Sequence, residues 1–132
     1  MAPHPAPLPP RLKRRAEFLA VARGRKAALP SLVLQSLPRG DDAPARLGFT
    51  VTRKVGNAVV RNRTRRRLKE AARLLFAARA AADAPVLGHD LVLVGRAATR
   101  ARPFALLIDD LATALRKAGV PNKASVPKAS VP

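Results

Sequence analysis

From residue 58 to about 82 the chain reads as one long helix that can bury only a narrow side of itself. On a wheel of ~100° per residue, Val60, Thr64, Leu68, Ala71, Ala72 and Leu75 share an arc of about 120°. Arg61, Arg63, Arg65, Arg66, Arg67, Lys69 and Arg73 take the other two-thirds. Asn57 suits the N-cap, where its side-chain oxygen can accept from free amides of the first turn. Such a helix needs one apolar layer beneath it and leaves a broad cationic back exposed.

The rest of the sequence supplies that layer. Residues 31–37 read as a strand, residues 38–45 as a hairpin loop dense in turn formers, and residues 46–52 as a second strand. In the latter, Leu47, Phe49 and Val51 alternate with Gly48, Thr50 and Thr52, giving one greasy face and one small, polar face. The apolar run at 90–94 predicts a strand covered on both sides. A short helix at 14–22 ends near Gly24, and a last helix starts at Pro103 and carries Phe104, Leu107, Ile108, Leu111 and Leu115. Helix, strand, strand, helix, strand, helix, with room for one more short strand, predicts an α+β fold with a partly antiparallel sheet.

At 132 residues, one hydrophobic core suffices. The predicted domain covers 11–119, between a Pro-rich flexible arm at 1–10 and a tail at 120–132 that repeats Lys-Ala-Ser-Val-Pro twice. No signal peptide or membrane span is visible, so the expected location is cytoplasmic with no membrane partner. The chain lacks cysteine, which excludes disulfides and thiolate chemistry.

With 26 Lys or Arg against 8 Asp or Glu, the net charge is +18, and a polyanion is the natural partner. Residues 53–73 concentrate nine of these cations with the single acid Glu70. Most charge runs are merely solvated helix faces, but those mix signs and gain i,i+4 pairs. Here Arg61–Arg65, Arg63–Arg67, Arg65–Lys69 and Lys69–Arg73 are like-charge pairs, each costing a few tenths of a kcal/mol. Arginine can hold phosphate oxygens bidentately and stack on bases. No zinc finger, leucine zipper or helix-turn-helix is visible, and a basic helix within an α+β fold favours RNA. The only aromatics are Phe18, Phe49, Phe76 and Phe104, too few for a multi-base platform. Phe18 is the best base-contact candidate.

The segment from Arg53-Lys-Val-Gly through Arg61-Asn62-Arg63 to Glu70 resembles the signature of the bacterial ribonuclease P protein component. Residues 11–18, the strand at 48–52 and the stretch 90–96 resemble that family in the same order, so the similarity runs from about 11 to 118. It implies a single-domain α/β sandwich like domain 2 of ribosomal protein S5, with a mixed sheet and a left-handed βαβ crossover. It also implies removal of the 5′ leader of precursor tRNA, with chemistry and Mg²⁺ belonging mainly to a catalytic RNA subunit. The implied partners are that RNA and precursor tRNA, with no obligate protein partner.

By match of position, Asn57, Arg61, Asn62, Arg63, Arg65, Arg66 and Lys69 would face RNA, with Arg53, Lys54 and Arg96 nearby on phosphates. Phe18, Gln35, Thr50 and Thr52 would line a leader cleft. Ala22 and Gln35 stand where the family often has aromatics, which implies weaker stacking or more hydrogen bonding there. No catalytic or metal-binding residue is assigned to the protein: His89–Asp90 is not read as a dyad, nor Asp41-Asp42 and Asp109-Asp110 as Mg²⁺ ligands. The competing reading is a non-catalytic RNA-binding ribosomal or assembly protein of similar fold. A basic membrane-surface protein would need a bulky apolar face that the last helix uses as core.

Overall fold

The computed structural model describes residues 8–120. Along the chain come α1 (Arg15–Ala22), β1 (Arg25–Leu29), β2 (Leu32–Pro38), β3 (Arg46–Val51), a 3₁₀ turn (Arg53–Val55), α2 (Ala58–Ala81), β4 (His89–Gly95), a second 3₁₀ turn (Ala97–Thr99) and α3 (Phe104–Lys117). The four strands form one mixed sheet in the order β1-β2-β4-β3. The architecture is α+β, as expected. No helix among the described residues is long and apolar enough to cross a membrane.

The expected hairpin between 31–37 and 46–52 does not form. β4 inserts between the two strands, antiparallel to β2 and parallel to β3. The hairpin is instead β1–β2, and the turn formers of 38–45 carry the chain past the end of β4. Pairing on both sides lets β4 bury five of its seven residues, in keeping with its unbroken apolar run.

One sheet face carries Ala27, Leu32, Leu34, Leu47, Phe49, Val51, Leu91 and Leu93, and α2 and α3 cover it. From α2 it receives Leu68, Ala71, Ala72 and Phe76; from α3, Leu107, Leu111, Ala114 and Leu115. The opposite face holds two cross-strand rows, Lys26–Gln35–Val92–Gly48 and Ala28–Val33–Val94–Thr50. There α1 covers Val92 with Val21, beside Leu12 and Phe18, and leaves much of the second row open.

Gly24 ends α1 by close approach: a Cβ there would sit 2.0 Å from the Ser36 carbonyl oxygen. Within the expected arm, Leu8 packs against the main core and the Pro10 carbonyl accepts from Leu47 N–H at 2.8 Å. Of the expected tail, Val120 is buried and donates its N–H to the Leu115 carbonyl at 3.0 Å. The remainder of the arm and of the tail, 1–7 and 121–132, lies outside the described residues.

Candidate nucleic-acid interface

The cationic helix starts where β3 ends. Gly56 takes φ 154°, and Asn57 caps α2 by accepting from Val60 N–H at 3.0 Å. Arg61 donates to the Gly56 carbonyl at 2.9 Å, which fixes this corner from the helix side. Buried Thr64 donates its hydroxyl to the Val60 carbonyl at 2.8 Å, so a polar group inside the apolar stripe is satisfied by its own helix.

Above that stripe the expected residues form a ridge. Arg63 and Arg66 project into solvent with no hydrogen bond or ion pair among the described residues, as do Arg53 and Lys54 at the foot of the helix. Arg65 donates to the Asn62 side chain at 2.8 Å, and both stay on the surface. Burial, together with Arg11, Arg65 and Arg66, holds the Lys69 ammonium below the usual lysine range. That is the mark of a site already crowded with positive charge.

Carboxylates do not answer this charge. All eight acids are described, and their arginine partners are Arg39, Arg46, Arg73 and Arg102. Only Glu70–Arg73 lies on α2, a turn beyond the main cluster.

Arg67 departs from its expected role on the exposed back. Its guanidinium donates to the carbonyls of Thr99, Arg100 and Arg102 and lies 5.6 Å from the centre of the Phe104 ring. It pins α2 to the entrance of α3. Helical spacing places it on the cationic flank, but only the fold brings the carbonyls to it.

A second arrangement lies on the α1 side of the sheet. A Cβ on Gly48 would come within 2.5 Å of the Phe18 ring, so glycine there is what lets the ring lie on the strand. Past Phe18 the sheet opens into a groove of about 520 Å³, lined by Lys26, Val33, Thr52, Lys54, Val94 and Arg96 among others. Gln35 and Thr50 belong to the rows that floor this face. Arg96 spends one N–H on the Leu29 carbonyl at 2.8 Å and remains exposed. The structure therefore gathers Phe18, Gln35, Thr50, Thr52, Lys54 and Arg96 on one face, while Arg61, Asn62, Arg63, Arg65, Arg66 and Lys69 stand on α2. Arg53 and Asn57 sit at the corner between them. Lys26 is a cationic member that sequence reading missed, because the Arg-Lys-Ala-Ala-Leu run of β1 carries no strand-forming signal of its own.

An ion-pair network sets the position of α1. Glu17 accepts from the N–H groups of Lys13 and Arg14 at 2.8 and 2.9 Å, and from Arg46 at 3.0 Å. Arg46 also holds Asp90 at 2.7 Å, and Arg39 binds the other side of that carboxylate at 2.8 Å. Burial pushes the Asp90 carboxyl up, but the hydrogen bonds from Arg46 and Arg39 outweigh it and leave it below the ordinary aspartate value. His89 turns Nδ1 to the Leu87 carbonyl at 2.9 Å instead of pairing with Asp90. Among the described residues no group of three or more His, Asp or Glu is placed to hold a metal. Asp110 is engaged by Ser31 and Arg102, and Asp41 by Arg39.

Comparison with known proteins agrees with the resemblance. The Ribonuclease P family model matches residues 7–119. A ribonuclease P protein component of Gluconacetobacter diazotrophicus is 63% identical over 111 residues, spanning 83% of this chain and 91% of the relative. That of Paramagnetospirillum magneticum is 50% identical, spanning 86% and 85%. Among solved structures, a ribonuclease P protein of Staphylococcus aureus superposes with TM-score 0.66 at 26% identity, covering 83% of this chain and 88% of that one. The Thermotoga maritima protein gives 0.59 at 30%, covering 78% and 92%. A ribosomal or assembly protein is not what these likenesses favour. In sequence and fold alike, this chain belongs to the ribonuclease P protein family, as the protein subunit of a ribonucleoprotein endoribonuclease of tRNA processing.

Proposed function

We propose that the α2 ridge docks the domain of residues 11–119 on the catalytic RNA while the groove beside α1 holds the single-stranded 5′ leader of precursor tRNA. The observation that carries this reading is the segregation of charge: guanidinium groups of the ridge stand without carboxylate partners while acids are spent elsewhere. Arg63, Arg66, Arg53 and Lys54 neutralise phosphates and release counterions, which makes binding steeply salt-dependent. The phenyl ring of Phe18 offers a base one aromatic surface, and Gln35, Thr50 and Thr52 offer hydrogen bonds that tolerate several bases. Lys26, Lys54 and Arg96 hold the leader backbone at the open end. Mg²⁺ supplies Lewis-acid and water-activating chemistry when bound, and phosphates of the RNA subunit are its ligands in this reading. The protein's part is to bind, align and screen charge, in the cytoplasm.

Reconstitution tests it. The purified chain, a bacterial ribonuclease P RNA and labelled precursor tRNA should give 5′-end cleavage at Mg²⁺ too low for the RNA alone. Phe18→Leu keeps Gly48 covered but removes the ring. It should weaken precursor binding about ten-fold relative to mature tRNA. Equal loss for both ligands counts against a leader groove.

A further inference from the structure

The ridge has a second cleft on its far flank, toward α3. It is an open cleft of about 720 Å³ lined by Arg63, Arg66, Arg67, Glu70, Arg100 and Phe104, with Ala97 and Ala101 along one side. A volume of that order suits a small organic group held in a recess, in the range of about 300–1,000 Å³. Three features set it apart from a merely basic surface. The guanidinium groups of Arg63, Arg66 and Arg100 have no protein partner among the described residues and reach solvent around the rim. Arg67 is held by three carbonyls and stacked on Phe104, so a flat cation–aromatic wall exists before any ligand arrives. Glu70 has its charge answered by Arg73 yet keeps lone pairs beside the cavity.

We propose that this cleft receives a single unpaired nucleotide of the RNA subunit, splayed from its helix. Its phosphate lies among Arg63, Arg66 and Arg100, and its base extends the Arg67–Phe104 stack. A base in an A-form duplex offers only its edges, whereas an extrahelical base offers a face and fills a recess. Glu70, as an acceptor, favours bases that carry an exocyclic amino group over uracil. The small side chains of Ala97 and Ala101 leave the room. This assignment rests on the ribonuclease P reading above and adds the turn before α3 to the RNA interface.

The test uses the full chain reconstituted with a bacterial ribonuclease P RNA. Ala101→Trp fills the cleft without removing a charge, and should weaken RNA binding about ten-fold at an unchanged salt slope. Arg100→Ala, at an exposed position, should weaken binding and lower the slope by about 0.7–0.9. Dimethyl sulfate probing should show one unpaired nucleotide protected by the wild type and released by Ala101→Trp. If both variants bind and protect as the wild type does, the pocket is refuted while the ribonuclease P assignment stands. A wild-type chain that neither binds the RNA nor stimulates precursor cleavage overturns the assignment and the pocket together.

Discussion

Arginine does opposite work in two regions of this molecule. At the corner of α1, β3 and β4, Arg39 and Arg46 clamp a carboxylate that is only 8% exposed. On α2, Arg63 and Arg66 point outward with nothing to bind among the described residues. The side chains are the same; what differs is where the few acids were placed. Paired arginines build the scaffold, and unpaired ones raise the free energy of the isolated chain until a polyanion lowers it. A surface can thus be legible as functional from the acids it lacks.

The contrast can be broken most forcefully at the clamp. Asp90→Asn leaves two guanidinium groups facing each other, and should cost about 3 kcal/mol in urea unfolding. The folded variant should keep its RNA salt slope. Because the Asp90 and Glu17 carboxyls sit below their ordinary values, their stabilisation is complete above pH ~5. It is lost as pH falls through the lower values of the folded state. Asp90→Asn should flatten that acid limb, and an unchanged limb would remove the clamp from the account.

At the ridge the expectation reverses. Replacing Arg63 and Arg66 together by alanine should change unfolding free energy by no more than about 0.5 kcal/mol. It should lower the slope of log affinity against log salt by about 0.7–0.9 for each arginine. A double variant with wild-type slope would mean that these side chains touch no phosphate. The smallest effect sharpens the comparison furthest. Lys69→Gln removes a crowded cation, so the free chain should gain about 0.3 kcal/mol while RNA binding weakens. Loss of stability in a thermal melt would show that Lys69 belongs to the scaffold.

Much of this was legible because it is local. The α2 stripe follows from helical period, its start from Asn57, and β4 from an unbroken apolar run. The single omission from the stripe was Phe76, near its edge and buried at the base of α2. What could not be read depends on distant neighbours. Turn formers at 38–45 announce a reversal, but not that a strand more than forty residues later will enter between its arms. β1 buries little beyond Ala27, so no alternation of large apolar residues marks it. The Arg39–Asp90–Arg46 clamp joins residues 44 to 51 positions apart. The expected site residues fall on α2, on the groove face of the sheet and at the corner between them.

Arg67 carries a warning for anyone who scans this helix with alanine. Removing it would free three backbone acceptors at residues 99, 100 and 102 and release the Phe104 ring. The start of α3 would shift, and RNA affinity would drop although no phosphate had been lost. A scan scored by binding alone would rank this rivet among the phosphate contacts; scoring melting temperature beside it would separate the two.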